Sequence, residues 1–140
     1  MILNQGKIAV LRQLLRSATF DCEVRLFAND FEPTMTSVQG DFTDPTNGYS
    51  PSLVRQVRDF TWPDPTINGT DDAESDGPTI TWTCDSFSAA ETIYGLYVTM
   101  LDETSGIKML MAARFGTPVE ITAVNDIVAK KLNWFANDLF

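Results

Sequence analysis

The spacing of apolar residues predicts one amphipathic helix near the start of the chain. The apolar residues of this segment recur at intervals of three and four: Ile8, Leu11, Leu14, Leu15 and Ala18. Asn4 is placed to cap the helix, and polar side chains fall between the apolar ones. We expect residues 1–20 to form a helix that packs its apolar side on the β core. The alternative is that its basic side docks on an acidic surface of a neighbouring subunit.

Beyond residue 20 the pattern changes to the alternation of β-strands. Alternation is regular in CEVRLF and TITWTC, whereas TIYGLYVTML is apolar on both faces, which is typical of a central strand. Further strands are predicted in PSLVRQVRDF, IKMLMAARF, TPVEITA and IVAKKLNWFAND. One helix and about seven short strands favour a mainly β, two-sheet, β-sandwich-like fold, with a single β domain over residues 21–140.

Two turn-rich segments interrupt the strands. GDFTDPTNGYSPSLV, residues 40–54, carries Phe42 and Tyr49 among turn residues such as Gly48. We expect these three residues to be structural anchors of the turn, with both rings buried against the β core. TWPDPTINGTDDAESDGP, residues 61–78, is rich in Pro, Gly and Asp, and we interpret it as an exposed acidic loop.

The composition narrows the possible chemistry. The chain has no histidine, which removes Ser-His and Cys-His catalysis and the commonest zinc ligand. Cys22 and Cys84 are too few for a disulfide scaffold, and we expect buried thiols, with a single bridge as the alternative. We predict no catalytic residue, cofactor or metal site. The acidic residues of 71–77 could hold a cation, although they lack EF-hand spacing.

Aromatic residues offer one further candidate for binding. Four of them lie in predicted strands and could line a ligand groove, although strand aromatics are more often core: Trp82, Tyr94, Tyr97 and Phe115. The methionines of MLMAARF are expected to fill the core as well.

Charge is unevenly distributed along the chain. The net charge is −9, which disfavours nucleic acid as a partner because phosphate binding needs a basic surface. Residues 1–20 carry Lys7, Arg12 and Arg16 without an acid, so all 19 acidic residues lie after residue 20. Opposite charges on one small chain suit association between copies, which makes these three bases the candidate interface residues. We expect no secretory signal and no membrane-spanning run.

Four segments carry a resemblance to known proteins. In chain order they are VRLFANDFEPT, GDFTDPTNGYSP, TIYGLYVTMLDETSG and ARFGTPVEI. This order resembles a family of small, largely uncharacterised virion structural proteins of tailed bacteriophages, over most of the chain from about residue 24 to residue 121. Ala113 stands where members of the family carry a glutamate.

The resemblance implies a non-enzymatic virion component that is assembled in the host cytoplasm. A capsid decoration (cement) protein on the shell of the major capsid protein is the favoured interpretation, because many weak contacts repeated by symmetry give avidity. The implied partners are phage capsid or tail proteins and further copies of the chain, with a trimer as the expected homo-oligomer. Nucleic acid and membranes are not expected as partners. The alternatives are a tail, baseplate or fibre component, or a host-surface module that binds glycans.

Overall fold

The computed structural model describes residues 4–16, 22–68, 72–102 and 106–135. Helix α1 spans Asn4–Arg16. Leu11 and Leu15 on this helix are buried in the same apolar cluster as the strands, which confirms that the helix packs on the β core. Within the described part of the chain no helix is long and apolar enough to cross a membrane.

Eight strands occur in the described residues, and they confirm the mainly β fold. Two short 3-10 helices, Gln39–Asp41 and Val57–Asp59, lie between strands. The strands are β1 (Cys22–Phe27), β2 (Gly48–Ser50), β3 (Arg55–Gln56), β4 (Thr66–Asn68), β5 (Asp72–Ser86), β6 (Glu91–Asp102), β7 (Gly106–Ile121) and β8 (Ile127–Phe135).

These strands form two antiparallel sheets in a β-sandwich-like arrangement. The first sheet has the order β3-β1-β6-β7. In the second sheet β8 pairs along one side of β5, while β2 and β4 pair with opposite ends of its other side. β5 is therefore the organising strand of the second sheet, as β6 is of the first.

The main core lies between the two sheets and follows the predicted alternation. Ile80, Trp82 and Cys84 on β5 are fully buried, while Thr79 and Thr81, which alternate with them, are exposed. Strand β1 adds Val24 and Leu26 to the same core. The indole Nε1 of Trp82 donates to the backbone oxygen of Leu53 at 3.1 Å, so its buried polar group is satisfied. The remaining members of the cluster include Tyr49, Val57, Trp62, Ile93, Leu96, Val98, Phe115, Ile121 and Val128.

A second, aromatic core covers the opposite face of the first sheet. Phe27 and Tyr97 lie on that face, and Phe42 packs on both rings. The Phe42 ring centroid is 5.0 Å from that of Phe27 in an edge-on contact and 4.6 Å from that of Tyr97 in a stacked one. The two cores explain why β6 is apolar on both faces. They also confirm the predicted burial of Phe42 and Tyr49, which are 7% and 5% exposed.

The interpretation of residues 61–78 as one exposed acidic loop is wrong. Residues 66–68 form β4, and β5 already begins at Asp72, so much of the segment belongs to the second sheet. Trp62 and Ser75 are buried, and the Ser75 hydroxyl donates to the backbone oxygen of Pro63 at 2.9 Å. Pairing with β8 overrides the local preference of Asp and Gly for turns. Residues 69–71 lie outside the described residues.

Two predicted strand boundaries also differ in the structure. PSLVRQVRDF gives only the two-residue strand β3 and the 3-10 helix after it. IKMLMAARF and TPVEITA form one strand, β7, because both runs pair with β6. Pro118 therefore lies within β7, where the register shifts between the partners of Ile93 and Gly95, and not at a strand entry. The predicted strand at the end of the chain is confirmed as β8.

Both cysteines are buried and neither is part of a disulfide, so the single bridge is not formed. Cys22 lies on the first sheet and Cys84 on the second. Burial raises the pKa of the Cys84 thiol, which lowers the fraction of reactive thiolate.

We expect neither cysteine to react with a thiol reagent in the folded protein, while both react after denaturation. Titration with an aromatic disulfide reagent, before and after addition of guanidinium chloride, measures this directly. Rapid labelling of one thiol under native conditions would contradict the burial of that side chain.

Candidate docking surface

The chain passes from the first sheet to the second through residues 28–47, which we call the crossing segment. Its base is closed by Asn29, whose side-chain amide donates to the backbone oxygen of Asp41 at 2.9 Å and whose Oδ1 accepts from the backbone N–H of Thr43 at 2.8 Å. The Ala28 N–H donates to the Thr43 oxygen at 2.8 Å. One asparagine thus holds together two points that are well separated along the chain.

The Glu91 carboxylate holds the far end of the crossing segment. Its Oε2 accepts from the backbone N–H and the hydroxyl of Thr46, at 2.8 and 3.1 Å. Its Oε1 accepts from the Asn47 N–H at 3.1 Å and from the Tyr49 hydroxyl at 2.7 Å. Both carboxylate oxygens are therefore committed to the segment that leads into β2.

These bonds also determine the proton affinity of Glu91. Partial burial acts to raise the pKa of the carboxyl, but the hydrogen bonds donated by Thr46, Tyr49 and Asn47 outweigh it, and the pKa is lowered. A carboxylate that is ionised and saturated with donors is a poor general acid or base near neutral pH. The Glu91 carboxylate is therefore suited to a structural role.

Asn47 joins the crossing segment to the turn between β5 and β6. Its Oδ1 accepts from the backbone N–H and the hydroxyl of Ser88, at 2.7 and 3.1 Å, and its amide donates to the Ala89 oxygen at 2.9 Å. Asn47 is only 5% exposed, so these bonds replace those that water would otherwise make. Gly48 beside it approaches β5 closely, since a Cβ there would lie 2.7 Å from Asp85 Oδ1.

The two phenols of this region are held in their neutral form. The Tyr97 hydroxyl donates to Asp44 Oδ1 at 3.1 Å, and burial together with the nearby Asp44 charge raises its pKa to about 12. Burial and the bond to Glu91 also raise the pKa of Tyr49. Neither phenol can act as a base near neutral pH, and both serve as donors that fix the crossing segment.

The crossing segment carries an exposed turn, and we call its apolar residues Met35 and Val38 the tip. The turn is internally bonded, because the Thr34 N–H donates to the Ser37 hydroxyl at 2.8 Å and the Ser37 N–H donates to the Thr34 oxygen at 3.1 Å. The Val38 N–H donates to Asp41 Oδ2 at 2.9 Å. Met35 is fully exposed and Val38 is 59% exposed.

Arg114 connects the start of the crossing segment to β7. Its guanidinium forms an ion pair with Asp30 and lies 3.8 Å from Glu32 Oε2. The same group lies over the Tyr94 ring, 5.2 Å from the ring centroid. The crossing segment is thus attached at its start, its middle and its end.

The helix residues that the sequence proposes as an interface are only partly described. Arg12 is 46% exposed, and its Nε lies 3.5 Å from Asp64 Oδ1 in the same chain. Lys7 and Arg16 belong to α1, but their side chains lie outside the described part of the structure. Val10, on the same helix, is 37% exposed.

The candidate cation ligands of 71–77 remain a prediction, because Asp71 lies outside the described residues and the side chains of Asp72, Glu74 and Asp76 on β5 are not described. Among the residues whose side chains are described, no three Cys, Asp or Glu groups are placed to hold a metal ion. The aromatic groove is also not formed as proposed, because Trp82, Tyr97 and Phe115 are buried in the two cores and Tyr94 lies beneath Arg114.

The turn-rich segment predicted at residues 40–54 overlaps only the end of the crossing segment, and the groups that hold it were not predicted. Glu91 is one of 19 acidic residues, and its partners Thr46 and Tyr49 are more than 40 positions away in the chain. The Asn-Gly pair at 47–48 is typical of turns, but it does not reveal the contacts of Asn47 to Ser88. The exposed tip carried no signal that separates it from other loop residues.

Comparison of the chain with protein-family models, with curated proteins and with solved structures finds no match.

Proposed function

We propose that this chain is a non-catalytic binding subunit whose crossing segment presents a preformed surface. The observation that carries the proposal is the set of side-chain bonds from Asn29, Asn47 and Glu91, which closes an otherwise irregular segment and fixes its end to β6 and to the turn between β5 and β6. A surface that is already ordered before binding loses less conformational entropy on association. The side chains of Asn29, Asn47 and Glu91 therefore have a structural role in keeping the crossing segment ordered.

Within this class we propose a capsid decoration protein of a tailed bacteriophage. The four resembling segments support the assignment, since two of them supply much of the crossing segment and the other two supply the β6–β7 pair, whose Tyr97 belongs to the aromatic core. A compact two-sheet domain with a net charge of −9 stays soluble as a free subunit, and repetition over a symmetric shell multiplies a weak contact. The major capsid protein is the partner, and the virion is the site of action.

Copy number in purified virions tests the assignment. We expect hundreds of copies per particle, measured by quantitative mass spectrometry against the major capsid protein, and regular density on the shell in electron cryomicroscopy. The major capsid protein of the same particles is the internal standard, because its number is set by the shell geometry.

A count of a few to a few dozen copies, with density at the tail, would replace the assignment by a tail, baseplate or fibre component. Absence from purified virions would overturn the virion assignment altogether. Binding of the isolated domain to a glycan array, without virion incorporation, would favour the host-surface module.

A further inference from the structure

Strand β7 is a long strand at the edge of the first sheet. It spans 16 residues, and in the described part of the chain it pairs with β6 only. A strand that is paired on one side presents a row of backbone N–H and C=O groups on its other side, where a further strand can bind. The free side of β7 is therefore suited to strand pairing.

The other edge strands of the described sheets are short or protected by charge. β2 and β4 have three residues each and β3 has two. β8 is longer, but the Nζ of Lys130 on this strand lies 4.3 Å from the centre of the Phe115 ring, and Lys131 follows it. Lysines and inward-pointing charges hinder the pairing of edge strands. Residues 109–113 of β7 carry no charge, so β7 lacks this protection there.

Both apolar cores extend to the free edge of β7. Four consecutive side chains of this strand are only partly buried, two against the main core and two against the aromatic core: Leu110 and Met111, and Met109 and Ala112. Ala113 is exposed, although its partner Leu96 on β6 is buried. A strand that covers this edge must therefore be apolar on both of its faces.

The β7 strand of a second copy meets this requirement. The sequence MLMAA at residues 109–113 is apolar at every position, so it presents apolar side chains to both faces of a sheet. β6 is also apolar on both faces, but both of its sides are already paired, with β1 and with β7. A second copy of this chain is therefore the partner that matches the edge.

Antiparallel pairing of two β7 strands about a twofold axis continues both cores into the partner. The axis is perpendicular to the sheet, so corresponding faces of the two copies stay on the same side. The register of β7 against β6 is regular over residues 111–114, which places the axis near Ala112. With the axis there, neither Lys108 nor Arg114 lies opposite a base of the partner subunit. The small alanine side chains also let the two backbones approach.

We propose that two copies of this chain pair through the free edges of their β7 strands, antiparallel and about a twofold axis near Ala112. The contact joins two four-stranded sheets into one continuous sheet. Backbone hydrogen bonds and burial of the open core edges supply the affinity. This inference goes beyond the proposed function, because it concerns self-association wherever the protein acts. It gives a dimer, whereas the resemblance implies a trimer.

Sedimentation of Ala113→Lys over a concentration series tests the pairing. Ala113 is exposed, so a lysine fits in the monomer, but in the dimer it places a charge in the apolar contact. We expect a monomer–dimer equilibrium for wild type and a dissociation constant raised roughly tenfold or more by Ala113→Lys. Ala129→Lys is the matched control, because Ala129 is exposed on β8 and the same substitution there should leave the dimer unchanged.

Circular dichroism checks that both lysine variants fold. A wild-type protein that stays monomeric up to its solubility limit would overturn the proposal, and so would equal dissociation of the dimer by the two variants. A trimer would overturn it as well, because pairing of one edge about a twofold axis is complete at two copies.

Hydrogen exchange locates the contact. Amides of β7 should exchange more slowly in wild type than in Ala113→Lys at the same high concentration, because pairing protects N–H groups that face solvent in the monomer. Peptides from β8 should exchange equally in the two proteins. Slower exchange at β8 with no change at β7 would contradict the proposed contact. Neither experiment bears on virion copy number, so the two proposals fail separately.

Discussion

Replacement of Gly95 by alanine should lower the free energy of unfolding by about 3 kcal/mol, at the upper end of the usual cost of overpacking. A Cβ at this position would lie 2.3 Å from the backbone oxygen of Ala113 and 2.5 Å from two atoms of the Phe27 ring. The oxygen belongs to the neighbouring strand β7, so it cannot retreat without disturbing the β6–β7 pairing. Phe27 is fully buried and contacts Phe42, so its ring has little room to turn.

Chemical denaturation of wild type and Gly95→Ala measures this loss. Gly116→Ala is the matched control, because Gly116 also lies in the first sheet and a Cβ there meets nothing within 4 Å. We expect the control to stay within about 0.5 kcal/mol of wild type. Equal stability of the two variants would show that Phe27 and β7 can move to accept a Cβ at position 95. The aromatic core would then not require glycine at this position.

Gly95 matters for the docking surface as well as for stability. Phe42 of the crossing segment packs on the rings of Phe27 and Tyr97. A displaced Phe27 ring would therefore shift the segment that carries the tip.

The alternation of apolar residues was enough to predict the two-sheet fold and much of the core. Ile80, Trp82 and Cys84 were assigned to one face because side chains two positions apart share a face, whatever the partner strand is. The apolar character of β6 on both faces was also visible in the sequence, and it reflects the two cores that the strand separates.

The extent of β5 and β7 could not be predicted from local sequence. The first part of β5 is rich in Asp, Ser and Gly, which disfavour strands, and it is held by pairing with β8 some 60 residues later. β7 continues through the Gly116–Pro118 turn signal because the register shift against β6 absorbs the extra residues. In both cases the deciding bonds come from residues that are distant in the chain.

The same limit applies to the candidate docking surface. Phe42 and Tyr49 could be recognised because aromatic rings are out of place in a solvated turn. The groups that hold the turn, Glu91 and Asn47, are polar residues whose role depends on which backbone donors they meet after folding. The burial of Phe42 and Tyr49 against the β core was therefore predictable from the sequence. The hydrogen bonds of Glu91 and Asn47 that fix the segment are visible only in the structure.

Glu91→Gln should lower the free energy of unfolding by about 2 kcal/mol at pH 7, since hydrogen bonds to an ionised acceptor are stronger than neutral ones and one donor loses its acceptor. Each carboxylate oxygen accepts from a backbone N–H, of Thr46 on one side and of Asn47 on the other. A glutamine side chain has one oxygen and one NH₂ group in place of the two carboxylate oxygens. In either orientation of the amide, the NH₂ group therefore faces one of these two backbone N–H groups, which loses its acceptor. Glu120→Gln, on an exposed residue of β7, is the matched control and should change stability by no more than about 0.5 kcal/mol.

The pH dependence of the stability difference between wild type and Glu91→Gln tests whether the ionised Glu91 carboxylate causes that difference. The pKa of Glu91 is lower in the folded protein than its ordinary value of about 4.3, so near that pH the unfolded state binds more protons than the folded state. The stabilisation is complete above the unfolded-state pKa and is lost as the pH falls through the folded-state pKa. Acidification should therefore remove this stabilisation from wild type, whereas Glu91→Gln lacks it at every pH. The free energies of unfolding of the two proteins, measured by denaturation from pH 7 to pH 3, should converge at low pH. Parallel curves would mean that the ionised carboxylate is not what holds the crossing segment.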